Sequence, residues 1–211
     1  MRDKFTGVGV ALITPFNEDL SIDYPSLKKI LNHITNSGVD YLVVNGTTSE
    51  ASTIGLEDKA TVLAFVQENN PKKLPIMYGL ASNDTMHVLD LIKKTDFSHI
   101  DAILTVSPYY NKPSQGGIIA HYEAIANESP VPVLLYNVPG RTGINVTTET
   151  ILHLANHPNI FGVKEASGDL SQCIEIMAGK PDDFMLISGD DLLTLPMISI
   201  GAEGVISVLA N

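Results

Sequence analysis

Lys164 closes the apolar run Ile160-Phe-Gly-Val163, so its stem leaves a strand-like segment at a point where water is scarce. Desolvation disfavours the charged amine and lowers its pKa from about 10.4, freeing the lone pair that attacks a ketone. The chemistry that results is a Schiff base. The same residue also reads as a lysine that snorkels to solvent or pairs with Glu165, and taken alone it leaves both readings open. Its surroundings add weight to the first. Tyr136 closes the preceding apolar run, Val133 to Tyr136, and adjacent strands stand about 4.8 Å apart, which puts a proton-shuttling phenol beside the amine. Thr47 and Thr48 follow the run Tyr41 to Val44 and bring hydroxyls for a proton relay or for holding a carboxylate. Arg141 lies in the loop after Tyr136, where its planar fork of donors suits a substrate carboxylate or, equally, an ion pair that braces the loop. A single Tyr or Thr is usually structural; several strand ends converging on one lysine are harder to explain that way.

Other signals are weaker. His153 and His157 stand four apart in a stretch read as helix, but they lack the glutamate of a zinc-protease motif and a third ligand. Asp182-Asp183 and Asp190-Asp191 read as caps and loop anchors, and Ser107, Ser188 and Ser207 have no convincing His/Asp partner. No metal ligand set is expected. Pro108, Pro113 and Pro139 stiffen the loops that present the polar groups.

Positioning these residues requires a regular scaffold. Eight short apolar runs recur along the chain: Val8 to Ile13, Tyr41 to Val44, Ile76 to Tyr78, Ala102 to Val106, Val133 to Tyr136, Ile160 to Val163, Met185 to Ile187 and Gly204 to Val208. They read as buried parallel strands. Seven stretches of helical periodicity lie between them, such as Leu27, Ile30, Leu31 and Ile34. Ser21 to Asp23, Asn83-Asp84 and Thr147-Thr148 supply helix starts, and Pro75, Pro130 and Pro132 mark strand entries. The unit of roughly 26 residues is that of a βα repeat, so an α/β fold, a (β/α)8 TIM barrel, is expected over residues 1–211, with its site at the carboxyl ends of the strands. An open doubly wound sheet competes, but Gly7 and Gly9 lie at or before the first run and lack the third glycine of a nucleotide-binding turn. Asn211 follows the eighth run directly. The barrel is therefore expected to be truncated after strand 8, with the last barrel helix and a C-terminal helical region absent, and with the outer face of Gly204 to Val208 left bare.

Composition narrows the function classes. Of 211 residues, 13 are Lys or Arg and 24 Asp or Glu, for a net charge of −11, and no cation run exceeds two residues. Such a chain repels a polyanion, so nucleic acid is not an expected partner. Hydrophobic residues at 44% against 18% charged can form a core, yet no run approaches the roughly 20 apolar residues that span a bilayer. Cys173 is alone, which argues for a reducing, cytoplasmic setting and leaves the sequons at Asn45, Asn83, Asn127 and Asn145 uninformative.

Five segments, in unbroken order, resemble the dihydrodipicolinate synthase family: Gly46-Thr-Thr-Ser-Glu-Ala-Ser-Thr53, Thr105-Val-Ser-Pro-Tyr-Tyr-Asn-Lys-Pro-Ser-Gln115, Leu135-Tyr-Asn-Val-Pro-Gly-Arg-Thr-Gly143, Gly162-Val-Lys-Glu-Ala166 and Ser188-Gly-Asp-Asp191. The resemblance implies a Schiff-base aldolase-type lyase that condenses pyruvate with L-aspartate 4-semialdehyde in lysine and diaminopimelate biosynthesis. It implies no cofactor, a covalent imine between Lys164 and pyruvate taking that place. Tyr136 would transfer protons, relayed by Thr47 and by Tyr110 reaching in from a neighbouring subunit. Thr48 would hold the pyruvate carboxylate, Arg141 that of the semialdehyde, and the Gly189 carbonyl and Ile206 would line the site. A homotetramer, a dimer of dimers of an intact chain of roughly 290 residues, is implied as well. One departure is Ser49, where the family has glycine, so a slightly altered loop is expected. Another is His87, where members that bind lysine as a feedback inhibitor, with the counterparts of Asn83 and Tyr109, carry an acid. Sister enzymes on the same scaffold, an N-acetylneuraminate lyase or a keto-deoxy-sugar-acid aldolase, are alternatives that Arg141 argues against. A non-catalytic small-molecule-binding fragment is the alternative of another class.

Overall fold

The eight apolar runs become eight parallel strands that close on one another in chain order, in a computed structural model that describes residues 1–211. They are β1 (Gly7–Ala11), β2 (Tyr41–Val44), β3 (Ile76–Gly79), β4 (Ala102–Val106), β5 (Val133–Asn137), β6 (Ile160–Glu165), β7 (Met185–Ser188) and β8 (Gly204–Ser207), with β8 pairing back onto β1. Closure gives every strand two partners and excludes the open sheet. Seven helices make the crossovers once an amino-terminal turn, α1 (Arg2–Phe5), has been passed: α2 (Tyr24–Asn36), α3 (Leu56–Glu68), α4 (Thr85–Lys94), α5 (Gln115–Glu128), α7 (Thr148–Leu154), α8 (Leu170–Gly179) and α9 (Thr194–Ser199). The start signals act as read: Asp23, Asp84 and Thr147 each accept a backbone N–H of the first turn of α2, α4 and α7. Three short turns carried too few residues for a periodic signal: α1, α6 (Pro139–Thr142) and a 3₁₀ turn at Thr47–Ser49. No helix is long and apolar enough to cross a membrane.

Two cores follow from strand alternation. Outward residues such as Val10, Val44, Leu135, Val163 and Leu186 pack beneath the helices, against Leu31, Val66, Ile125 and Ile176. Inward residues, among them Tyr41, Met77, Leu134, Met185, Ile187 and Ile206, fill the barrel. Phe5 plugs its amino-terminal end, its ring edge-on to Tyr41 at 5.1 Å and stacked on Phe161 at 5.5 Å.

One irregularity decides where the lysine points. The β5/β6 register jumps between Val133, opposite Ile160, and Leu134, opposite Gly162, so Phe161 is an extra residue in β6. Phe161 faces inward, and simple alternation from it would turn Val163 inward and Lys164 outward. The bulge inserts a step, so Val163 packs in the outer core and Lys164 enters the barrel. A Cβ on Gly162 would lie 2.6 Å from the Met185 carbonyl oxygen and 3.1 Å from Leu134, which leaves room for glycine only.

The eighth strand corrects an expectation. It ends at Ser207 rather than Val208, and its outer face is not bare: Val205 is 7% exposed. The following turn folds toward β1, with Asn211 Nδ2 donating to the Ala11 carbonyl (2.9 Å) and Ala210 packing on the outer core. Apolar exposure begins only at Val208 and Leu209.

Candidate active site

Lys164 and Tyr136 occupy paired positions on β6 and β5, and the lysine Nζ lies 4.1 Å from the centroid of the tyrosine ring. Lys164 is 6% exposed and its amine forms no ion pair. Glu165, the next residue, points out of the barrel to Asn137 and Gln172, so pairing with Lys164 is excluded. Burial pushes the Lys164 amine down to about 7; Asp191 opposes this and Arg141 reinforces it. Asp191 is fixed by the amides of Val208 (3.1 Å) and Leu209 (3.4 Å), so it is a loop anchor that also places one anion near the amine. The sequence signalled only the first role. Gly189 lies along the lysine stem, and a Cβ there would come within 2.8 Å of Ala166 Cβ and 3.0 Å of Lys164 Cε.

Burial raises the Tyr136 phenol above its ordinary value, against the pull of Arg141 and the Thr47 side chain, so the hydroxyl is a proton donor at neutral pH. Thr47 opens the 3₁₀ turn and Thr48 follows it. Ser49 does not distort this turn: its hydroxyl donates to the Gly46 carbonyl (2.7 Å), and the positive φ angles fall on Asn45 and Glu50. Pro139 starts α6, which carries Arg141 exposed and without an ion pair, so the guanidinium does not brace its own loop. Thr47, Tyr136, Val138 and Arg141 line a cavity of about 430 Å³ that runs on to Lys59, His87 and Tyr109, with no carboxylate in its wall. Lys164 is not part of that wall; it stands against the Tyr136 ring. Ile206 projects into the barrel interior.

Tyr110, like Thr48, is not part of the cavity wall. It is 85% exposed, with φ +74°, outside the cavity that its neighbour Tyr109 lines. The histidines part company too: α7 ends at Leu154, His153 Nε2 meets Glu123 and His157 Nε2 meets Asn127, each at 3.2 Å, so they do not share one helix. Sequence reasoning weighed Glu165 only as a partner of Lys164 and gave Asn137, Asn145 and Gln172 no structural role; the four form a polar cluster behind the site. The available signal was two polar residues directly after Tyr136 and Lys164, at positions that face a helix layer.

Residues 4–211 match the family model described as the dihydrodipicolinate synthetase family. A 4-hydroxy-tetrahydrodipicolinate synthase of Cytophaga hutchinsonii is 54% identical over 98% of this chain and 70% of its own length. A dihydrodipicolinate synthase crystal structure from Bacillus anthracis superposes with a TM-score of 0.93 at 40% identity, covering 98% of this chain and 70% of that one. One from Cyanidioschyzon merolae, with lysine bound, does so with a TM-score of 0.92 at 42% identity and covers 98% and 70%.

Proposed function

This chain belongs to the dihydrodipicolinate synthetase family, and from that premise we propose that Lys164 and Tyr136 carry the 4-hydroxy-tetrahydrodipicolinate synthase reaction, a Schiff-base lyase step of lysine and diaminopimelate biosynthesis. The observation that carries the assignment is a buried, unpaired amine, held near neutrality, against the ring of a protonated phenol. The neutral Lys164 Nζ attacks C2 of pyruvate, and Tyr136 gives a proton to the leaving oxygen so that water departs and an imine forms. Once the imine nitrogen is protonated, loss of a proton from the methyl carbon gives an enamine, that nitrogen taking the electron pair. The enamine carbon then bonds to the aldehyde carbon of L-aspartate 4-semialdehyde, whose oxygen takes up a proton. Attack of the semialdehyde's amine on C2 closes the ring and expels Lys164, for a net loss of one water. Thr47 relays protons to Tyr136, Thr48 holds the pyruvate carboxylate, and the Gly189 carbonyl and Ile206 shape the pocket around the imine. The reaction needs no cofactor on this route.

Tyr110 completes the relay of a neighbouring subunit, and its exposed, left-handed backbone position outside its own cavity supports a tetramer built from dimers that share it. A cytoplasmic setting goes with this biosynthetic role and with an inert lone thiol: Cys173 is buried, and burial, then Glu165 and Asp169, push it up to about 12. The test is borohydride reduction with pyruvate, followed by peptide mass spectrometry, alongside turnover of the semialdehyde and of sugar-derived 2-oxo acids. An adduct on Lys164 with turnover confined to the semialdehyde is expected; an adduct elsewhere, or preference for the sugar acids, rejects the assignment.

Two results follow from the cavity. Arg141→Ala is expected to raise the semialdehyde KM by about 10- to 100-fold, the loss of a charge-assisted contact, while the pyruvate imine still forms. Steady-state kinetics in both substrates will show it, and a rise confined to pyruvate would reverse the two carboxylate assignments. Free lysine is expected to inhibit weakly or not at all, because the cavity wall beyond Arg141 offers Lys59 and His87 and no carboxylate to meet an ammonium group. A lysine titration of the turnover rate tests this, and strong inhibition contradicts it.

A further inference from the structure

Behind the side chains that enter the barrel lies a polar set that faces away from it. Asn137 and Glu165 follow Tyr136 and Lys164, stand opposite each other in the register and are both buried. Asn137 Nδ2 donates to Glu165 Oε2 (2.9 Å) and to Asn145 Oδ1 (2.8 Å), while its Oδ1 accepts from the Val146 amide (3.0 Å). Gln172 Nε2 donates to the same Glu165 oxygen (3.0 Å), and the Ser167 amide donates to the other (2.6 Å). Asn145 Nδ2 closes the cluster by donating to Gln172 Oε1 (2.7 Å). Every partner of Glu165 is a donor, and both of its oxygens accept. A glutamine could not replace it, since it would set an amide NH₂ against a donor in either orientation. Apolar residues would hold a strand under a helix at least as well, so a buried, fully hydrogen-bonded carboxyl here points to a purpose beyond stability.

The cluster holds the segment that carries Arg141. That segment leaves β5 directly after Asn137, forms α6, and returns at Asn145 and Val146 to the same Asn137 side chain. Inside it, the Thr142 hydroxyl donates to the Ile144 carbonyl (2.9 Å), and from outside Gln115 Nε2 grips the Asn145 carbonyl (2.8 Å). Arg141 has no ion pair of its own, so these anchors are what fix its position.

We propose that Asn145 is a positioning residue: tied to the buried Glu165 carboxylate, it fixes the α6 loop so that Arg141 presents its guanidinium to the carboxylate of the second substrate. This rests on the reading of Arg141 given above and extends it to what sets that specificity. The test is Asn145→Ala in the full chain, alone and combined with Arg141→Ala. The semialdehyde KM is expected to rise about 10-fold, with kcat and the pyruvate KM within about twofold of wild type and borohydride trapping of pyruvate unchanged. In the Arg141→Ala background the same change is expected to add less than about twofold, because the group it positions is gone. Gln115→Ala, which releases the loop from outside without opening the core, is expected to give a smaller rise of the same kind and keeps the test open should Asn145→Ala fail to fold. A merely structural role would lower kcat with the active fraction, leave both KM values in place and add fully to Arg141→Ala; that pattern overturns the proposal. An unchanged semialdehyde KM in Arg141→Ala itself rejects the reading of Arg141, whereas a normal Arg141 effect with no Asn145 or Gln115 effect rejects the positioning role alone.

Discussion

Lys164→Ala is expected to leave a folded barrel that gives no borohydride-trapped pyruvate adduct and whose turnover is reduced on the order of 10⁴-fold or more, the usual scale for removal of a covalent nucleophile. The expectation comes from placement: Lys164 is the buried lysine that stands against a phenol at the barrel mouth. An amine held near 7 by burial also fixes the pH response, since only its neutral form attacks. With pyruvate limiting, kcat/KM is expected to climb as pH rises through about 7 and then to level off, instead of climbing to the ordinary lysine value. Stability runs the same way. Between the folded value and the ordinary one the unfolded chain binds more protons, so the penalty for burying this amine is full below the folded pKa and fades as pH rises through that window. Lys164→Met is therefore expected to raise Tm most near pH 6 and least near pH 10, measured by thermal denaturation across pH. A variant no more stable than wild type at pH 6 would mean the amine is not desolvated as described.

Tyr136→Phe is expected to keep the fold and the ring against which Lys164 rests, yet to lose about 10²- to 10⁴-fold in turnover, the range for a general acid–base group. The substitution removes one hydroxyl from a buried side chain and leaves its packing in place. In the proposed mechanism imine formation and the later carbon–carbon step both use that proton, so trapping should slow along with turnover. Near wild-type turnover would remove Tyr136 from the mechanism and shift the relay to Thr47 or to water.

The amino-acid sequence by itself determined the architecture and most of the chemistry. Continuous apolar runs can be covered only on both faces, and helical stretches of fixed length between them permit few arrangements other than a closed barrel. Polar residues at the ends of such runs then have to emerge at one rim, which is why Lys164, Tyr136, Thr47 and Arg141 could be named from order alone. What order could not decide was direction. Period-two alternation counted from Phe161 turns Lys164 away from the barrel, and only the bulge made possible by Gly162, against Met185 and Leu134, turns it in. Glu165 illustrates the same limit, since a carboxylate next to a lysine reads as its partner until the strand sends the two to opposite faces. The Asn137, Asn145 and Gln172 contacts join residues up to 28 positions apart, and Asp191 meets Val208 and Leu209 across two strand ends. Contacts of that range have no periodic trace in the chain. They exist because barrel closure brings distant strand ends to one rim, where each buried donor or acceptor takes the partner that geometry supplies.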